Sequence, residues 1–189
     1  SGEVIKGETN IDIPQHDGRQ RIRRVWLEPA ASLNPAARKA ILSADVIVIG
    51  PGDLYTSIIP NILVRGMKEA LKKTRGKVVY LVNVMTKFGE TNDFRASDFL
   101  GVMEKYVGEG VIDYVLAASG KPTRARLKPY AAERAFWVRV DRENFTSKPS
   151  SKSPSRQKRP ILVLGNLVRS KGFIRHDPLK TARLIWTLV

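Results

Sequence analysis

Residues 45–61 read DVIVIGPGDLYTSIIPN. The run Asp45–Ile49 is short, apolar and β-branched, and Gly50-Pro51-Gly52 stops it. Such a run predicts a strand buried on both faces, as in a parallel sheet. Pro60 then opens a long helical stretch in which Ile62, Leu63, Met67, Ala70 and Leu71 share one face, and Gly76 ends it. Val78–Val82 predicts a second buried strand. Residues 97–107 predict an amphipathic helix capped by Ser97 or Thr91, and Ile112–Leu116 a third strand. Strand, helix, strand, helix, strand at this spacing is the βαβ pattern of a parallel sheet wrapped by helices, an α/β fold.

Outward from this centre, PAARKAILS (35–43) predicts a helix with Asn34 as N-cap and Pro35 at its first position. Residues 2–28 alternate apolar and polar side chains and predict short strands broken by turns such as His16-Asp17-Gly18. AFWVRV (135–140) and ILVL (161–164) predict further strands, and residues 179–188 a terminal helix. TSKPSSKSPSRQKR (146–159) has no large apolar residue and predicts a flexible basic insertion. The 189 residues therefore read as one α/β domain, 1–189, carrying that insertion.

Apolar residues make up 42%, enough for a core. No apolar run reaches the roughly 18–20 residues of a membrane span. There is no cysteine, which excludes a disulfide framework, a thiolate zinc site and a cysteine nucleophile. The polar first ten residues predict no signal peptide, and a first residue Ser1 in place of Met predicts a fragment or processed form. The net charge of +15 favours anionic ligands. Twelve basic and three acidic residues lie in 121–159, so the excess is concentrated there and pI alone makes a weak case for nucleic acid.

Gly50–Ser57 (GPGDLYTS) follows a predicted strand and precedes a helix. Ligands of open α/β sheets bind outside the carboxyl ends of the strands. Glycines there let the backbone approach a phosphate, and Thr56 and Ser57 add hydroxyl donors. The same glycines also suit a plain strand-to-helix turn. The Gly-Lys-Ser/Thr end of a phosphate loop and the third glycine of a dinucleotide fingerprint are both missing. Asn83–Thr91 (NVMTKFGET) follows the next strand, so both loops should share one edge of the sheet. Asn83 and Thr86 could bind a sugar hydroxyl or a base, and Glu90 could act as a base or hold a ribose. Thr91, Asn92 and Asp93 read as caps. In Arg175-His176-Asp177-Pro178, Asp177 reads as the N-cap of the terminal helix and Arg175 as a phosphate ligand through its planar fork. His16 reads as a solvated turn residue, and two histidines make a structural zinc site a poor reading.

GPGDLYTSIIPNILV (50–64) followed by NVMTKFGET (83–91) resembles the bacterial gluconeogenesis factor family. That family is a relative of 2-phospho-L-lactate transferase, the enzyme of coenzyme F420 assembly. GETNI (7–11), RIRRVWLEP (21–29), ASDF (96–99), Tyr130 and RHDP (175–178) support the resemblance, which runs from about residue 2 to the end of the chain. It implies a Rossmann-like three-layer α/β fold with a parallel sheet and helices on both faces. It implies a cytoplasmic protein that binds a nucleotide-sugar, UDP-N-acetylglucosamine being the expected ligand, and a link to cell shape and carbon metabolism.

Carried over by motif, the implied ligand contacts are Gly50, Pro51, Gly52, Asp53, Tyr55, Thr56, Ser57 and Asn61 in the first loop. Asn83, Thr86 and Glu90 follow in the second, with Tyr130 to stack on a base or sugar and Arg175 to pair with phosphate. The alternative is a phospholactyl transferase that moves the group from a guanosine diphosphate-linked donor to a deazaflavin. Asp53 and Glu90 would then be the catalytic candidates, and Asp53 a contact for magnesium. A basic nucleic-acid-binding module ranks third. A homodimer through helix surfaces is open. Asp53 stands where the resembled family usually has Ser, and Lys87-Phe88 where it commonly has Gln-Pro. The family's N-terminal half, with its Gly-rich first strand–loop, is expected to be missing.

Overall fold

A computed structural model describes residues 2–14, 16–146 and 159–188. The predicted insertion, apart from its end residues 146 and 159, lies outside them. In chain order the elements are α1 (Glu8–Asp12), α2 (Pro35–Ser43), β1 (Val46–Ile49), α3 (Ile59–Ile62), α4 (Met67–Lys73), β2 (Lys77–Leu81), α5 (Ala96–Val107), β3 (Tyr114–Ala118), α6 (Arg124–Ala132), α7 (Glu143–Thr146), β4 (Ile161–Gly165) and α8 (Pro178–Trp186). A single π-helical turn, Leu54–Ile58, leads into α3.

The strands form one parallel sheet in the order β1-β2-β3-β4. Period-two alternation divides its side chains between two cores. Val78, Tyr80, Val82, Val115 and Ala117 pack with Ile59, Phe99, Leu100 and Met103 of α3 and α5. Val79, Leu81, Leu116 and Ala118 face Leu184 and Ile185 of α8 together with Leu127 and Tyr130 of α6. These are the three layers of an α/β fold. β2 and β3 are buried on both sides, whereas β1 lies at the edge of the described sheet, with Val48 43% exposed.

Local sequence signals hold where the cap is intrinsic. Asn34 accepts from the Ala36 N–H at the head of α2, and Asp177 from the Lys180 N–H at the head of α8. Four expectations change. Residues 2–28 hold the short α1 and otherwise irregular chain, because they pair with no strand of the sheet among the described residues. The long helix after Pro60 is split: Gly66 takes φ 93°, and Arg65 leaves the helical path to exchange backbone hydrogen bonds with Ala31 and Leu33. Residues 135–140 form only a bridge, Met85 to Trp137, with Val138 N–H donating to Val84 and Thr86 N–H to Phe136. They brace the second loop instead of joining the sheet.

The fourth change concerns α5, which starts at Ala96. Asp98 accepts from the Arg95 N–H and Asp141 accepts from the Ser97 N–H, so the cap is supplied by two carboxylates and by neither Ser97 nor Thr91.

Gly76 is required by a close approach. A Cβ there would stand 2.2 Å from the Ala44 carbonyl oxygen, which is backbone and cannot swing away. Gly76→Ala is expected to lower stability by about 1–3 kcal/mol, as overpacking does. The readout is a lower urea midpoint at unchanged slope.

Candidate functional site

The carboxyl ends of β1, β2 and β4 open onto a cleft of about 950 Å³. This is the edge at which parallel α/β sheets bind ligands. Its walls come from the first loop (Pro51, Gly52, Asp53, Ser57), the second loop (Asn83–Phe88), Tyr130 of α6, and Arg169, Arg175 and His176 beyond β4. The end of α1 adds Asp12, followed by Ile13 and Pro14.

The two loops are bolted together. The Glu90 side chain is fully buried and accepts from the Tyr55 N–H at 2.8 Å and the Thr56 hydroxyl at 3.0 Å. Asn83 Nδ2 donates to the Gly52 carbonyl at 2.9 Å. The second loop closes on itself, since Thr91 Oγ1 accepts from the Lys87 N–H and Asn92 Oδ1 from the Gly89 N–H. Thr91 and Asn92 thus cap this turn and no helix. Burial pushes the Glu90 carboxyl above its ordinary value, although the Tyr55 N–H, Lys87 and Thr56 oppose it. Burial likewise pushes the Tyr55 hydroxyl up to about 12.

A hairpin after β4 supplies the opposite wall. Val168 bridges His176, and the Arg169 N–H donates to the Arg175 carbonyl, which keeps both arginines side by side. Tyr130 Oη accepts from the Ile174 N–H at 2.8 Å and ties α6 to this hairpin. The Arg175 guanidinium lies 5.6 Å from the Phe173 ring centre. Burial draws the His176 imidazole below its ordinary value, and its ring is hydrogen-bonded to the Val82 backbone. His176 Nε2 and Asn83 Oδ1 are buried and have no hydrogen-bond partner among the described residues. With the His176 proton on the nitrogen facing Val82, both are acceptors on the cleft wall.

The cleft thus gathers Pro51, Gly52, Asp53, Ser57, Asn83, Thr86, Tyr130 and Arg175 from the residues expected to touch ligand. It does not line itself with Gly50, Tyr55, Thr56, Asn61 or Glu90. Gly50 turns the chain at φ 91°, and Tyr55 is buried in the core. The Thr56 hydroxyl is engaged by Glu90, and Asn61 donates to the Ser57 carbonyl. Asp12, Lys87, Arg169 and His176 join the wall without having been selected from sequence. Position after a strand end could have flagged Arg169. Nothing local marks Asp12.

Lys87 Nζ is hydrogen-bonded to Asp12 and to Asp53, the latter at 2.7 Å, and lies 3.5 Å from Glu90. Asp53 and Lys87, two departures from the resembled pattern, are therefore partners. Burial works against the ammonium, but its hydrogen bonds to Asp12 and Asp53 and the charges of Asp53 and Glu90 outweigh burial. Together they hold its pKa above the ordinary lysine value. Oxygens of Asp12, Asp53 and Glu90 lie within 4.8 Å of one another, a donor set that suits magnesium by chemistry. With the ammonium seated among them, the set as a whole does not fit a divalent ion.

Glu90→Leu removes both acceptors and leaves the buried Tyr55 N–H without its partner, so a stability loss of about 1–3 kcal/mol is expected from denaturant titration. His176 gives a pH signature. Its folded pKa is depressed, so the unfolded chain binds more protons between the folded value and about 6.5, and stability falls as pH drops through that window. Melting temperatures of the chain and of His176→Gln, measured from pH 7.5 to 5, should converge at the acid end.

The 2-phospho-L-lactate transferase CofD family profile matches residues 1–153. A putative gluconeogenesis factor from Thermotoga maritima is 38% identical over 97% of this chain and 55% of its own length. The gluconeogenesis factor of Bacillus subtilis is 35% identical over all of this chain and 56% of its own length. A crystal structure of a Bacillus halodurans protein superposes with a TM-score of 0.86 at 33% identity, over 98% of this chain and 56% of that one. The chain spans about half the length of these relatives. With its parallel sheet and its motifs at the carboxyl edge, the chain belongs to the CofD family that includes the gluconeogenesis factors.

Proposed function

We propose that the cleft binds a nucleotide-sugar, UDP-N-acetylglucosamine by expectation, in a regulatory protein of the gluconeogenesis factor type linked to cell shape and carbon metabolism. One observation carries the reading: the cleft has two chemically different walls. Arg169 and Arg175 offer planar forks of donors suited to a diphosphate. Across from them, Asp12 and Asp53 are carboxylates and Asn83 Oδ1 is an acceptor without a partner among the described residues, while His176 Nε2, next to Arg175 on the hairpin, is a second such acceptor. Acceptors of this kind call for ligand hydroxyls or N–H groups, which a sugar provides. Tyr130 and Phe88 add ring faces. A cleft of about 950 Å³ has room for such a ligand.

The family profile's own description, a 2-phospho-L-lactate transferase, favours a second reading; the resemblance implies a guanosine diphosphate-linked donor for such an activity. Calorimetric titration with UDP-N-acetylglucosamine and with guanosine diphosphate separates the two. The expected result is selective binding of the uridine ligand, weakened roughly 10–100-fold in Arg175→Ala, the range for a lost hydrogen bond to a charged group. Preference for guanosine diphosphate, with turnover on a deazaflavin acceptor, would replace the first reading by the second.

A further inference from the structure

Asp12, Asp53 and Glu90 reach one point from three separate segments: the end of α1, the loop after β1 and the loop after β2. The Glu90 side chain has no exposure, and those of Asp12 and Asp53 are 31% and 38% exposed. Three carboxylates so close together repel one another in a partly dry wall, and a cation between them offsets that repulsion. Magnesium is the ion implied by the transferase branch. The chain has supplied a different one.

The Lys87 side chain, 27% exposed, sends its ammonium to this point. An ammonium carries three N–H donors and no acceptor, which matches three carboxylates one to one. Two of them are hydrogen-bonded, and the third is 3.5 Å away. The stem is anchored at its root. The Lys87 N–H donates to Thr91 Oγ1, and the Lys87 carbonyl accepts from the Glu90 and Thr91 N–H groups. The charge is therefore delivered by a fixed backbone and does not have to be recruited from solution. A hard divalent ion needs about six oxygens at roughly 2.1 Å and would have to expel the ammonium to obtain three of them.

We propose that Lys87 is a tethered cation that fills the Asp12–Asp53–Glu90 site and keeps divalent metal out of it. An anion entering the cleft is then met by Arg169 and Arg175 directly, without a metal bridge from this site. Lys87 also pins α1, which buries no residue of its own, against the cleft mouth through Asp12. Which ligand the cleft takes does not enter into this, so loss of nucleotide-sugar binding and displacement of Lys87 by a metal are separate observations.

The test is manganese titration of the chain and of Lys87→Gln, followed by electron paramagnetic resonance of the free hexaaqua ion and by melting at matched ionic strength. The unaltered chain should leave the free-ion signal intact at 1 mM protein sites and show no melting shift with manganese. Lys87→Gln should bind one ion at least tenfold more tightly, and its melting point should rise with manganese by mass action. This rise is readable even if the variant is much less stable, since the ion would restore its folding. Stoichiometric manganese binding by the unaltered chain overturns the proposal. So does a Lys87→Gln variant that neither binds manganese nor recovers stability in its presence.

Discussion

A carboxylate with no exposed surface is costly to bury, and Glu90 is tolerated because two fixed donors from another loop meet it. That contact decides the shape of the cleft floor. The Tyr55 N–H lies in the first turn of the π-helical segment that follows β1, where N–H groups have no acceptor within the helix and are free to meet a neighbour. Glu90 thereby holds the loop after β1 to the loop after β2, and Asn83 repeats the connection at Gly52. The loops that a parallel sheet merely places side by side become one surface. Residues 135–138 then buttress this surface from outside through Thr86 and Val84.

The opposite wall is assembled by different means. Backbone pairing across the hairpin after β4 sets the two arginines, and Arg126 of α6 donates to the Gly172 carbonyl of the same hairpin. Tyr130 fastens α6 to that hairpin through the Ile174 N–H. A hydroxyl accepting a backbone bond in this way fixes its ring, and Tyr130 lines the cleft together with Arg175. The cleft as a whole has a rigid acidic floor closed by Lys87 and a basic wall on a hairpin. A ligand with a charged end and a hydroxyl-rich end fits that division.

Reading residues 45–61 and 83–91 correctly located the edge and the loops, because a buried strand followed by a Gly-containing polar turn has few other structural meanings. It did not show which polar groups within them pair with one another. Glu90, Tyr55 and Thr56 were expected to touch ligand, yet they satisfy one another, since a polar residue in a motif looks alike whether its partner is a ligand or the next loop. Lys87 was visible only as a departure, although it has ion-pair partners in two other segments. In Arg175-His176-Asp177 the sequence marked only Arg175 and Asp177. Asp177 is the cap, while His176 turns to Val82 and the cleft.

The sequence by itself determined the parallel α/β order, the helix caps at Asn34 and Asp177, and the paired loops at the strand ends. Each follows from interactions within a few residues: side-chain alternation, a cap oxygen reaching its own helix, a glycine turning the chain. Tertiary structure alone decided the rest. It broke the long helix at Gly66 because Arg65 found backbone partners at Ala31 and Leu33. It left residues 2–28 and 135–140 outside the sheet because no long ladder was available to them. It also converged Asp12, Asp53 and Glu90 on Lys87. Those outcomes depend on which groups separated in sequence arrive at one point, and desolvation makes their pairing obligatory only after the chain has folded.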